Sequence, residues 1–162
     1  MADVDYKTAT LPHMGGEVIS TNQAIELRIV GLPGPQGSKR FVGLSKSGRG
    51  IMIESSAKVK PWRQAVVAAA RAEGRRCTGA VAVQMFFTLP KPKSAPKGRI
   101  TYPDRKPDCS KLVRSTEDAL TDAGVWEDDA RIISLLAQKC FPGEHEDALD
   151  VPGAVIRIRS VA

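Results

Sequence analysis

Four aspartates in the second half of the chain have the types and spacing that could do chemistry. Asp108 follows Pro107 at the expected start of a helix, and Asp118 lies within that helix. Asp128 and Asp129 stand just ahead of a strand expected over 131–140. Carboxylates brought from separate elements make a hard-oxygen site suited to Mg²⁺. Such an ion activates water and stabilises the leaving oxygen of a phosphodiester. A strand returning beside the helix start would bring Asp129 near Asp108. Each acid also has a plain structural use. Asp108 suits a helix N-cap, worth about 1 kcal/mol. Asp118 falls four residues after Arg114, a spacing that gives an ion pair worth about 0.3–0.5 kcal/mol. Asp128 and Asp129 suit a turn. Spacing alone leaves both readings open.

Two groups of cations accompany these acids. The stretch from Lys91 to Lys106 holds Lys91, Lys93, Lys97, Arg99, Arg105 and Lys106 against Asp104 alone, a local charge of +5. It leads directly into Asp108. Such a run is either a solvated face or a contact for a phosphodiester held against metal ions. Earlier, Gly31–Arg40 reads Gly-Leu-Pro-Gly-Pro-Gln-Gly-Ser-Lys-Arg. It is not a phosphate-binding loop: the terminal Gly-Lys-Ser/Thr is missing, and Pro33 and Pro35 lack two amide donors that a cradle needs. It is a strand-to-strand turn, or one whose Ser38, Lys39 and Arg40 touch a DNA phosphate.

The elements that must position these residues follow from periodicity. Ile25, Leu27 and Ile29 alternate and predict a strand over 25–30. Segments 41–44 and 51–54 form a hairpin across 45–50. Residues 59–74 form a helix with Pro61 in its first turn, Gly74 as its stop, and Trp62, Val66, Ala69 and Ala70 inward. Lys58, Lys60, Arg63 and Arg71 mark its start and exposed surface. A long apolar strand spans 80–89, then a basic, Pro-rich loop spans 90–107. A second helix over 108–123 buries Leu112, Thr116, Ala119, Leu120 and Ala123 and stops at Gly124. Strands over 131–140 and 154–160 complete the order β-β-β-α-β-α-β-β. This predicts one small α+β domain over 25–162, with a mixed or antiparallel sheet and two main helices, after a flexible tail over 1–24.

Composition bounds the remaining options. The 162 residues suit a single domain, and 42% apolar content is enough for a core. Twenty-four Lys and Arg against 18 Asp and Glu give +6, which suits a polyanionic partner. No run reaches the roughly 18 apolar residues of a membrane span, so no membrane partner is expected. The N-terminus does not read as a secretion signal. Cys77, Cys109 and Cys140 are odd in number and widely spaced, which argues for reduced thiols and against a zinc site. A Cys–His enzyme is not indicated, because His13 falls in the expected tail and His145 in an acidic loop.

Lys106-Pro-Asp, Asp118-Ala-Leu, Ala123-Gly-Val-Trp and Asp128-Asp-Ala-Arg-Ile, at these gaps, resemble the signature of RusA-type Holliday-junction resolvases. The resemblance covers about Lys106 to Ile133. The Gly/Pro-rich turn and Lys139 lend weaker support. The family pattern is Asp-x-Asp-Asn, a Lys four residues after the second Asp, then Asp-Ala-Leu, then Asp-Asp before a strand. By position, Asp108 takes the place of the first metal-binding carboxylate and Asp129 that of the downstream one. Ser110 stands at the second carboxylate position, Lys111 at the Asn, and Arg114 at the catalytic Lys. Serine is a neutral, weaker ligand. Arginine cannot act as a base, but it can neutralise a phosphate or a transition state.

The resemblance implies an Mg²⁺-dependent homodimer, with Mn²⁺ as an alternative ion, that hydrolyses phosphodiesters at four-way DNA junctions. Asp108 and Asp129 would be the principal metal ligands, with Asp128 the third candidate. Arg114 would meet the scissile phosphate, and Ser110 or its water would complete the shell. Lys39, Arg40, Lys106 and Lys111 are the candidate contacts to the DNA backbone. The implied location is the cytoplasm, that of the host if the chain is encoded by a phage or prophage. Two alternatives stay open: a junction-binding protein with weak or no cleavage, and a metal nuclease of flaps or other branched DNA.

Overall fold

The computed structural model describes residues 24–37, 39–54 and 57–161. The expected tail up to residue 23 and Ser38 lie outside the described residues, as do the side chains of Lys39 and Arg40. The elements run β1 (Ala24–Val30), β2 (Lys39–Leu44), β3 (Gly50–Glu54), α1 (Val59–Glu73), β4 (Val81–Thr88), α2 (Cys109–Ala123), β5 (Ile132–Cys140) and β6 (Gly153–Ser160). A 3₁₀ turn, Asp129–Arg131, precedes β5. Both helices end where expected. Gly74 and Gly124 take the left-handed conformation that glycine adopts without a Cβ clash, and each N–H returns to a carbonyl of the last turn.

The main sheet has the order β1-β6-β4-β5, and β2 and β3 form a separate hairpin. Only β4 and β5 run parallel; β6 pairs antiparallel with both β1 and β4. This is the expected α+β fold with a mixed sheet. Strand β4 is buried at every position, which explains why its sequence is a near-continuous apolar run. On one face, Val83, Met85 and Phe87 join the core with Trp62 and Val66 of α1 and Leu112 and Leu120 of α2. On the other face, Phe86 stacks on His145 with ring centroids 5.2 Å apart, and the Arg157 guanidinium lies 5.7 Å from the Phe86 ring centre. Arg157 also pairs with Glu26 and Asp147, and holds the Glu26 carboxyl below its usual range.

The helices are tied together by polar contacts that helical spacing does not reveal. The Trp62 indole N–H donates to Thr116 Oγ1 at 3.0 Å inside the interface. Arg63 pairs with Asp118 at 3.5 Å and with Asp122 at 2.5 Å. Asp118 therefore takes its partner from the neighbouring helix and not from Arg114 one turn away. Arg63, expected at the start and exposed surface of α1, is partly buried in this bridge.

The turn after β1 wedges against both helices. Ser115 Oγ of α2 donates to the Gly34 carbonyl at 2.6 Å, and the Gln36 N–H donates to the Lys111 carbonyl at 2.8 Å. A Cβ at Gly34 would lie 2.2 Å from the Lys58 carbonyl oxygen, a backbone atom at the start of α1. Overpacking at such a point costs about 1–3 kcal/mol. Gly34→Ala should therefore lower the stability measured by urea unfolding by roughly that amount. An unchanged midpoint would show that the turn is not wedged.

Candidate active site

Helix α2 connects two parallel strands, so it has to run back across the sheet between them. The far end of β5 therefore returns to the level of the helix start. There Lys139 Nζ donates to the Arg105 carbonyl at 2.9 Å and the Pro107 carbonyl at 3.0 Å. This one side chain fastens the last residues of the basic loop just before Asp108.

Asp108 holds the N-cap position of α2, yet its carboxylate makes no capping hydrogen bond. The simple capping role is thus absent. The side chain is half-exposed, with Lys111 Nζ 3.6 Å away. Ser110, Lys111 and Arg114 are exposed along the same first turns, and Lys106 is exposed on the loop before them. The Cys109 thiol is pushed up by burial, partly offset by Lys139, so it stays protonated and is a poor metal ligand. All three cysteines are free.

The second acidic position lies further along α2. Asp129, exposed at the start of the 3₁₀ turn, stands close enough to Glu117 to raise its carboxyl. Burial is the larger cause of that rise. Asp129 and then Asp118 add to it, and Arg114 opposes it. Glu117 is not one of the family's motif positions. A helical signal was present: Glu117 lies seven residues after Ser110, about 20° away around the axis, and three after Arg114. The structure thus gathers Arg114, Glu117 and Asp129 on one side of α2.

Asp128 has a different task. Its Oδ1 accepts from the Ala130 N–H at 2.8 Å and caps the 3₁₀ turn. Asp108, Asp128 and Asp129 form no three-acid group able to hold a metal, and no such group of His, Cys, Asp or Glu occurs among the described residues. Asp108 sits at the helix start, whereas Glu117, the neighbour of Asp129, lies nine residues on, about 13 Å along the axis.

A cleft of about 1100 Å³ opens between the Gly/Pro-rich turn, the basic loop and the start of α2. Its wall carries Lys58, Arg105, Lys106 and Lys111 against Asp104 and Asp108, so cations dominate. Gln36, in the same wall, has a buried side-chain carbonyl oxygen without a protein partner. The cleft includes Asp108 but does not reach Glu117 or Asp129.

The sequence of these elements matches the model of the family described as endodeoxyribonuclease RusA over residues 32–159. The chain belongs to the RusA family. The match takes in the Gly/Pro-rich turn, both helices and all strands except β1. It extends well beyond the segment 106–133 that carries the resemblance in sequence. No curated protein matches the chain. The family is one of endodeoxyribonucleases, which makes DNA phosphodiesters the substrate class and hydrolysis the reaction class. Among the described residues no helix is long and apolar enough to cross a membrane.

In this RusA-family chain, Lys139 acts on the site through the backbone it holds. Lys139→Met should free the Arg105 and Pro107 carbonyls and speed amide exchange around residues 104–109. Global stability should change by only about 1 kcal/mol. DNA cleavage should fall by about ten- to a hundredfold through misplacement of Asp108. Parental exchange rates in that segment would exclude the tether.

Proposed function

We propose that the chain is a divalent-metal-dependent endonuclease that cuts four-way DNA junctions as a homodimer. The observation that carries this reading is α2 itself, in a family-matched stretch of chain. Its start, Asp108, lines the cationic cleft beside a loop of charge +5, and Arg114 and Glu117 stand with Asp129 further along. Paired cuts need two active sites, and a two-fold dimer matches the symmetry of a four-way junction. The cytoplasm, or the host's cytoplasm for a phage-encoded chain, is the compartment where such DNA would be met.

The donors present fit a hard cation. They are carboxylate oxygens, and a bound cation would favour the ionised form of the Glu117 carboxyl, which burial and then Asp129 raise. Mg²⁺ takes only one or two carboxylates and keeps several waters, so a three-acid cage is not required. Asp108 and Asp129 stand at the family's metal-binding positions and are the proposed ligands, with Mn²⁺ as a substitute; one ion meets both only if DNA binding closes the roughly 13 Å that separates Asp108 from Glu117 along α2. Glu117 would supply the carboxylate that Ser110 lacks, and the Ser110 hydroxyl would at most hold a water. Asp128, spent on its turn, is the weakest of the candidates. Bound there, the ion would supply an activated water and a Lewis acid for the phosphodiester.

The rest falls to the chain's own side chains. Arg114 is exposed and forms no ion pair among the described residues, so its guanidinium is free to neutralise a phosphate. Lys106 and Lys111 would fix the backbone of one DNA arm at the cleft, and Lys39 and Arg40 are further proposed contacts to the DNA backbone. Ser110 in the usual acid position favours one rival, a junction binder with feeble cleavage.

A panel of labelled substrates separates these readings. Four-way junction, flap and linear duplex should each be incubated with Mg²⁺, with Mn²⁺ and with EDTA. The expected result is paired incision of opposing junction strands in either metal and none in EDTA, with flap and linear DNA cut far more slowly. Tight junction binding without incision in either metal would make the protein a binding module. Equal incision of flaps would make it a general branched-DNA nuclease.

A further inference from the structure

The basic loop between β4 and α2 exposes two large apolar side chains that the core does not use. Ile100 is 64% exposed and Tyr102 is 66% exposed. Thr101, between them, is held fast. Its backbone N–H and its hydroxyl both donate to Glu144 Oε2 at 3.1 Å. The other oxygen of Glu144 pairs with Lys91 at the start of the loop. Glu144 is largely buried at 13% side-chain exposure, and Lys91 holds its carboxyl below the usual range. Pro103 is buried, and the Asp104 N–H closes a tight turn onto the Tyr102 carbonyl at 2.9 Å. The loop is therefore pinned at one residue and presents its two apolar neighbours from a fixed point.

Tyr102 also lines the cationic cleft that contains Asp108. An aromatic ring left in water beside Lys58, Arg105, Lys106 and Lys111 calls for a partner with two properties. It must be polyanionic to meet the cations, and it must offer a flat apolar face to meet the ring. An unstacked nucleotide has both, because its phosphate meets Lys or Arg and its base stacks on the aromatic ring. A base inside a duplex offers only its edges, so stacking needs a base already freed from the helix. Such bases cost least where pairing is interrupted.

We propose that Tyr102, with Ile100 beside it, is a stacking platform for a nucleobase unpaired at the branch point, and that Glu144 is the positioning residue that aims it. This rests on the nuclease reading above and adds the element of the DNA that the loop recognises.

The test uses the full chain and a four-way junction carrying 2-aminopurine at the branch point, in EDTA so that nothing is cut. The parent should bind the junction more tightly than a linear duplex and quench the fluorescent base. Tyr102→Phe should keep the quenching. Tyr102→Ala should lose it and weaken junction binding by about tenfold, with affinity for linear duplex unchanged. Glu144→Gln should reduce the quenching while the salt dependence of binding stays parental, a pattern that loss of charge contacts would not give. Both positions lie outside the core, and thermal melting of each variant checks that the fold is intact. If the parent prefers junctions but Tyr102→Ala quenches equally, the platform is overturned and the nuclease reading stands. If the parent shows no preference for junctions, both fall together.

Discussion

At Gly34 three parts of the chain meet within the width of a backbone. The turn after β1 approaches the Lys58 carbonyl so closely that a single Cβ would collide with it, while Ser115 of α2 grips the Gly34 carbonyl from the other side. The packing of α1 against α2 and the wall of the cleft both depend on this approach. The Gly/Pro-rich turn resembles a phosphate loop in composition, but its glycine serves backbone packing and its prolines line the cleft. The buried Trp62–Thr116 bond and the Arg63 bridge to Asp118 and Asp122 then hold the helices in register.

With the helices fixed, two side chains from beyond α2 set the basic loop. Lys139 holds its end, at the carbonyls before Asp108, and Glu144 holds its middle, at Thr101. Both anchors come from β5 and the segment following it, so the parallel crossover that places α2 also supplies the fastenings of the loop. The division of charge follows. Cations dominate the cleft at the helix start, and carboxylates gather around Glu117 and Asp129 further along.

Much of this was legible in the sequence, and the gaps have physical causes. Periodicity and stop signals gave every strand and both helices, because β4 is apolar throughout and Gly74 and Gly124 end their helices as glycine does. Partner choice was not legible. Arg114 and Asp118 have the right spacing for a pair along one helix, but Arg63 from the other helix takes Asp118, since tertiary proximity outweighs an exposed local pair worth a few tenths of a kcal/mol. Asp128 reads as a ligand or a turn residue with equal ease, and only its bond to the Ala130 N–H separates the two. Glu117 lies outside the positions that the family pattern fixes. The acid that stands beside Asp129 is set by the path of the chain after Gly124, which no spacing rule contains.

On the proposed reading, carboxylates at α2 make this RusA-family chain a metal-dependent nuclease although Ser110 replaces one of the usual acids. A Mg²⁺ titration of four-way-junction cleavage tests it most directly, run on the parent and on Asp108→Asn, Asp129→Asn, Glu117→Gln and Ser110→Asp with junction binding measured alongside. Both aspartate variants should bind but not cut, Glu117→Gln should need more Mg²⁺ than the parent, and Ser110→Asp should need no more than the parent. Parental cleavage by both Asp108→Asn and Asp129→Asn, at every Mg²⁺ concentration, would contradict that reading.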